Sequence, residues 1–344
     1  MKYRLNKLPV KTTNGFQIND VEVELNVSSY QRRNDVLIQG DVSSLTIHKG
    51  MKKEKLMTKL GLEVSEYEEI QIQVPKGVSI KEPICITYDL EEKDWSISKI
   101  VITYEEDSSC DFIITNASHG PCFQYLIESV SSQKNSSGNI SILNTMDSQS
   151  QFFYALENDV FMNANITHTI LDLGGKTRLY HVYSNLLEEK AKNTLNTIYI
   201  GKNDELLDFN YYLNNIGVET NNQMKVEGVL TDSAHKNFRG TLDFQKGCSR
   251  SIGEENENCI LLTDTCRSRS LPQMLCGEED VVGAHGVSSG KVEEDKLFYL
   301  MSRGYSQKEA EKLIVMGRFR TILDSIPSEE KRAEILSLIE EKLS

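Results

Sequence analysis

The 344-residue chain has no run of about 18 apolar residues, so no segment of it reads as a membrane-spanning helix. Its opening, MKYRLNKLPVKTTNGF, has no apolar h-region, which leads us to expect no secretory signal and a cytoplasmic protein. The seven cysteines form no CxxC pair and no even framework. That pattern fits a reducing compartment and argues against a disulfide scaffold or a structural zinc site. Basic residues are the minority, 38 against 51 acidic ones, for a net charge of −13. A general nucleic-acid binder needs a basic face, so that class is disfavoured. The sequence also lacks GxGxxG, GxxxxGK[ST], GxSxG and HExxH. Any ATP chemistry would have to come from another subunit.

What the chain does have is a long β-rich body followed by helices. Val21, Val23, Leu25 and Val27 alternate with polar residues and read as a half-buried strand after a Thr13-Asn14-Gly15 turn. Residues 51–62, MKKEKLMTKLGL, are expected to form a short helix ended by Gly61. From about 69 to 265, strand signals recur every 8–12 residues with Gly, Asn and Asp between them. Asparagine and threonine recur in and beside these strands, where they can stack between successive rungs. That composition and the length of the run lean toward a β-solenoid, with a pair of β-sandwiches as the other reading. No fixed-length repeat is visible.

After Gly290 the period changes. Leu297, Phe298, Leu300 and Met301 share a helical face, and Gly304 is placed to end that helix. Ser306 and Glu309 spell a capping box, and Ala310, Leu313, Ile314 and Gly317 follow helical spacing. A last helix opens at Pro327-Ser328, with Ile335, Leu336, Ile339 and Leu343 as its apolar stripe. The expected divisions are 1–68, an N-terminal segment with a strand and a short helix; 69–290, the β core; and 291–344, the helical region.

Two residues are the candidates for chemistry. Cys266 follows Leu262-Thr263-Asp264 at a strand end, and His285 comes later, at the separation expected to return a solenoid chain one rung on. A thiolate and an imidazole brought together there would suit iron. A Cys–His nucleophile pair is the enzymatic alternative, but no oxyanion or orienting motif accompanies it. His119, His168, His181 and His235 read as structural or surface residues.

The stretch DVVGAHGVSSGKVEEDKLFYLMSRG, from Asp280 to Gly304, resembles the SufB/SufD family of scaffold components of the SUF iron–sulfur cluster assembly machinery, and within it the SufD branch. EAEKLIVMGRF and LLTDTCRSRSLPQ extend the likeness over about 258–325, and QVPKGVSIKEPICI carries a weaker one upstream. The resemblance implies a mainly β chain built as a right-handed parallel β-helix, with a short N-terminal segment and a C-terminal helical region. It implies pairing with a SufB-type paralogue or as a homodimer, and docking of the helical region, through Phe298, Tyr299, Arg303, Gly304 and Phe319, to the SufC ABC-type ATPase. Iron, and persulfide sulfur from a cysteine desulfurase or sulfur carrier, would meet on the complex as a transient iron–sulfur cluster. Cys266 and His285 would be its ligands on this chain, which would bind no nucleotide, nucleic acid or membrane. The chain departs from the SufB pattern in reading Ala284-His285-Gly286 where SufB-type chains have Glu-His-Glu, and from the SufD pattern in having Cys266. The expectation is a scaffold subunit and not an enzyme by itself. Its rivals are a purely structural partner with no metal contact and a β-helix enzyme acting on acidic polysaccharide; the second lacks the strand-borne Asp or Arg cluster such chemistry needs.

Overall fold

The computed structural model describes residues 2–9, 11–12, 18–25, 29–33 and 35–343. The N-terminal part forms short strands: β1 (Lys2–Leu5), β2 (Val21–Glu24), β3 (Gln31–Arg32), β4 (Val36–Gln39), β5 (Thr46–Lys52), β6 (Leu56–Met57) and β7 (Glu63–Val64). β2 buries Val21 and Val23 and exposes Glu22 and Glu24, as alternation requires. The Thr13-Asn14-Gly15 turn and Val27 lie outside the described residues. The helix expected over 51–62 does not form. Lys49 and Met51 belong to β5, which pairs antiparallel with the strand Tyr67–Val74, and Gly61 (φ +88°) closes a turn between β6 and β7 instead. Leu60 and Leu62 are buried there with Leu5, Val21 and Val23, so tertiary packing overrides local helix propensity.

The body is a β-solenoid of about eight turns. One parallel ladder is made of β8 (Tyr67–Val74), β10 (Asp94–Tyr104), β12 (Phe123–Ser132), β14 (Gln151–Val160), β16 (Thr177–Leu186), β18 (Leu206–Asn215), β20 (His235–Phe244) and β22 (Arg267–Cys276). The other is made of β9 (Ile84–Leu90), β11 (Phe112–Ser118), β13 (Ser137–Thr145), β15 (Asn165–Asp172), β17 (Lys192–Gly201), β19 (Asn221–Leu230), β21 (Ser251–Leu261) and β23 (Val281–Gly290). The length of one coil is set by register partners such as Gln151 beside Thr177 and His235 beside Arg267.

A repeat hidden in the sequence marks one corner. Asp107, Asn135, Asn163, Lys190, Glu219 and Arg250 all have positive φ. Each is followed by a buried small residue, in turn Ser108, Ser136, Ala164, Ala191, Thr220 and Ser251. The chain needs a left-handed residue to turn and a small one to re-enter the core. Inside, aromatic rings stack from coil to coil, with Tyr180 over Phe209 at 5.1 Å between centroids. The expected rung-to-rung stacking of asparagine is present, since Asn193 donates to Asn222 at 2.8 Å.

Both outer faces are covered. The N-terminal segment packs Leu5, Val23 and Leu62 over Tyr67, Phe123, Tyr125 and Phe153 of the first ladder. Three helices, α1 (Glu294–Ser302), α2 (Gln307–Leu323) and α3 (Glu329–Lys342), follow the last strand. The Ser306–Glu309 capping box forms, and Gly304 takes φ +99° just after α1. α2 and α3 bury Val315, Phe319, Ile322, Ile335 and Ile339 against Leu171, Ile198, Val229 and Ile260 of the second ladder. The buried stripe of α2 is therefore Ala310, Val315, Phe319, Ile322 and Leu323. Leu313 and Gly317, expected on it, are exposed, because α2 is turned to meet a broad sheet face. Among the described residues no helix is long and apolar enough to cross a membrane.

Candidate functional site

The solenoid is blunt at one end and open at the other. At its start, β4 and β5 pair antiparallel with β9 and β8. At its finish, β22 and β23 are the outermost strands of their ladders, and β23 is exposed over nearly its whole length. His285 sits in the middle of β23 and is exposed.

Cys266 is elsewhere. It lies one residue before β22, 6% exposed, with its thiol donating to the carbonyl of Thr263 at 3.1 Å. A full coil is the span from Gln151 to Thr177 or from His235 to Arg267. The span from Cys266 to His285 is shorter, and brings the chain only onto the opposite ladder and not to the next rung. There the two strands run past each other. Ser268 meets Ser289 at 2.8 Å, and a side chain on Gly283 would strike Met274. The level of Cys266 is reached near Lys291, well beyond His285 and about 20 Å from it at strand spacing. The expected Cys266–His285 pair is thus not formed within one chain. Among the described residues no three His, Cys, Asp or Glu side chains converge as a metal site.

What lies under His285 was not read from the sequence. Its register partner one coil back is Glu255, beneath which come Met224, Leu195 and His168. Apart from the buried His168, this inward-facing column is apolar until its last two positions. Glu255 is fully buried, and neither carboxylate oxygen has a hydrogen-bond partner. Burial, and then the charge of Glu257, push its carboxyl up to about 8. Its head fills space left by Gly240, where an added Cβ would strike Oε1. Beside it Glu257 is saturated: Lys236 Nζ donates to it at 2.7 Å, Tyr199 at 3.0 Å and Ser270 at 2.9 Å. Cys259 completes this wall, its thiol raised by burial. The signal available was the run Gly253–Cys259, GEENENC, whose alternate glutamates fall on the inward parity of the strand.

The other histidines are structural or peripheral. His168 and His181 are buried, whereas His119 is an exposed neighbour of Asp89. In the helical region, Phe298 (75% exposed) and Tyr299 (57%) stand free on α1, which has no buried residue at all. Arg303 lies 5.3 Å from the Tyr299 ring, and Gly304 makes the turn that follows. Phe319 is the exception among the expected docking residues: it is 1% exposed, packed inside the helix–solenoid seam.

The family model for the SUF system FeS cluster assembly SufBD core domain matches residues 87–318, from β9 into α2. The chain belongs to the SufBD family. Its relatives include the iron–sulfur cluster assembly protein SufD of Bacillus subtilis, 24% identical over 84% of this chain and 70% of that protein. SufD of Escherichia coli is 22% identical over 54% of this chain and 44% of its own length. A SufBD family protein of Pyrococcus horikoshii is 29% identical over 48% and 37%. Two of these bear the name SufD, the branch the sequence most resembles. A role in SUF iron–sulfur cluster assembly follows for this SufBD chain, whose family match spans the open coil, His285 and α1 together.

Proposed function

We propose that the chain is a scaffold subunit of SUF iron–sulfur assembly, a partner and not an enzyme. It would present its open terminal coil to a SufB-type paralogue or a second copy of itself, and α1 to a SufC-type ATPase. Iron and persulfide sulfur are its cargo. The observation that carries this reading is the unpaired edge of β22 and β23, with His285 at its centre, in a chain of the SufBD family. An unpaired strand edge recruits another strand unless it is covered. Phe298 and Tyr299 give α1 the exposed aromatic surface that interface anchors use.

Tandem affinity purification after co-expression with SufB-type and SufC-type subunits tests the reading. Wild type should recover both. Phe298→Ala/Tyr299→Ala should lose the ATPase and keep the paralogue, and a chain that recovers neither would overturn the proposal. The burial of Cys266 favours a second reading, a structural partner with no metal contact. Cluster assembly that ignores both Cys266→Ala and His285→Ala would select it.

A further inference from the structure

The antiparallel β1–β2 pair lies on the outer face of the first ladder, and the residue just past β1 makes most of its polar contact there. Asn6 is fully buried and left-handed (φ +54°), a conformation asparagine tolerates better than most residues. Its amide nitrogen donates to the Tyr180 carbonyl at 3.1 Å and to Asp208 Oδ1 at 2.6 Å. Its side-chain oxygen meets His181 Nδ1 at 2.9 Å, and its backbone carbonyl accepts from Asn210 at 3.3 Å. A second tie lies nearby, where Arg239 donates to the Ile18 carbonyl at 3.0 Å. This end of the pair is therefore pinned by polar groups, whereas Leu5, Val21 and Val23 hold its body by apolar contact.

His181, Asn210 and Arg239 are register partners on the outer face of three successive coils. The Asn6 amide nitrogen is committed to oxygens, so the Asn6 side-chain oxygen accepts and His181 Nδ1 carries the proton. A further proton has to enter at Nε2 and makes the ring a cation. Arg239 stands in the same column, and Lys59 reaches in from the β6–β7 turn, its ammonium 4.6 Å from the Tyr183 ring. The carboxylates around them are engaged. Asp208 accepts from Arg239, Asn6 and Asn237, and Glu157 pairs with Lys59 at 3.0 Å. Burial first, then Arg239 and Lys59, hold the imidazole down at about 3. An exposed histidine titrates near about 6.5.

We propose that the β1–β2 pair is an acid-released latch: Asn6 seats in a socket of His181, Asp208 and Asn210, and protonation of His181 ejects it. The closed socket refuses a proton that the open one accepts. Closure is thus full above about 6.5 and is lost as pH falls toward 3. Leu5, Val21 and Val23 leave with Asn6, and Phe123, Phe153 and Leu179 beneath them come to the surface. The latch needs no partner and no metal, and it stands whether or not the assembly reading holds.

Hydrogen exchange of the full chain at pH 7.5 and pH 5, expressed as protection factors, is the test. In wild type the β1 and β2 amides should lose about tenfold or more of their protection at the lower pH. His181→Gln, which keeps a neutral donor for Asn6 and does not titrate, should cancel that loss. His168→Leu removes the other buried histidine and should leave the loss in place, which separates release of the latch from unfolding of the whole chain. Asn6→Gly keeps the left-handed turn without the side chain, and should lower β1 protection by about tenfold already at pH 7.5. Unchanged protection in wild type, a loss that survives His181→Gln, a loss abolished by His168→Leu, or wild-type protection in Asn6→Gly would each overturn the latch.

Discussion

Lys202 Nζ donates to the backbone carbonyl of Lys342 at 2.6 Å, tying the last turn of α3 to a corner of the solenoid. The Lys342 ammonium in turn lies 3.8 Å from Glu205, which is buried beside Arg178. The C-terminal helices are therefore fastened at their far end by charge as well as by the apolar seam.

Lys202→Met should loosen that fastening. A hydrogen bond from a charged donor contributes about 1.5–3 kcal/mol. Amide exchange in the last turns of α3 should speed up while the exchange of β14 and β16 stays as in wild type.

Arg178 is the more severe point. It is fully buried, 3.3 Å from Asp172 and 2.8 Å from Glu205. Arg178→Met strands two carboxylates in the interior and should cost about 3–5 kcal/mol in urea unfolding. Adding Asp172→Asn should recover part of the loss, which a double-mutant cycle measures.

His168 gives a pH signature. Both ring nitrogens lack partners, and burial holds the imidazole down at about 3. The unfolded chain binds a proton below about 6.5 that the native chain refuses, so stability falls as pH drops from about 6.5 toward 3. His168→Leu should remove that slope, a gain of about 2 kcal/mol at pH 5 relative to pH 7, read from melts at the two pH values.

Glu128 has the opposite sign. Burial pushes its carboxyl up to about 7, with the Tyr154 hydroxyl pulling weakly the other way. Between about 4.5 and 7 the native chain keeps a proton that the unfolded chain releases, so stability is lost as pH rises through that window. Glu128→Gln should stabilise by roughly 2–3 kcal/mol at pH 8 and by little at pH 4.5. Equal gains at both values would show that Glu128 does not titrate in this way.

Asn163 tests the corner repeat. Its φ is +56°, and Asn163→Val places a β-branched residue in the left-handed region. A loss of about 1–2 kcal/mol is expected, whereas Asn163→Gly should be close to neutral.

Much of this was legible from local signals. Period-2 alternation marks Ile70, Ile72 and Val74, and the Ser306–Glu309 box marks the start of α2. What escaped depends on contacts a full coil apart in the chain. The corner repeat holds only a conformation and a size constant, so Lys190-Ala191 and Asn135-Ser136 do not look alike as text. Leu60 and Leu62 look helical until the sheet that buries them is present. Glu255 and Glu257 drew no reading, since two glutamates alternating in a strand show no burial until they stack on Met224 and Val226. For the candidate site, His285 was recognisable from its motif. The buried Glu255 in register beneath it went unread, because the search ran along the chain to Cys266.

The asymmetry of the two solenoid ends also limits how such chains can accumulate. β5 closes the first end running antiparallel, with Lys49 and Lys52 along it, and lysines on an edge discourage further pairing. Among the described residues, the β22–β23 end is the longest edge left without lysines or an antiparallel cover. Were two chains to join there, each would turn its lysine-bearing β5 end outward, an arrangement that closes on a pair and does not propagate as a fibre.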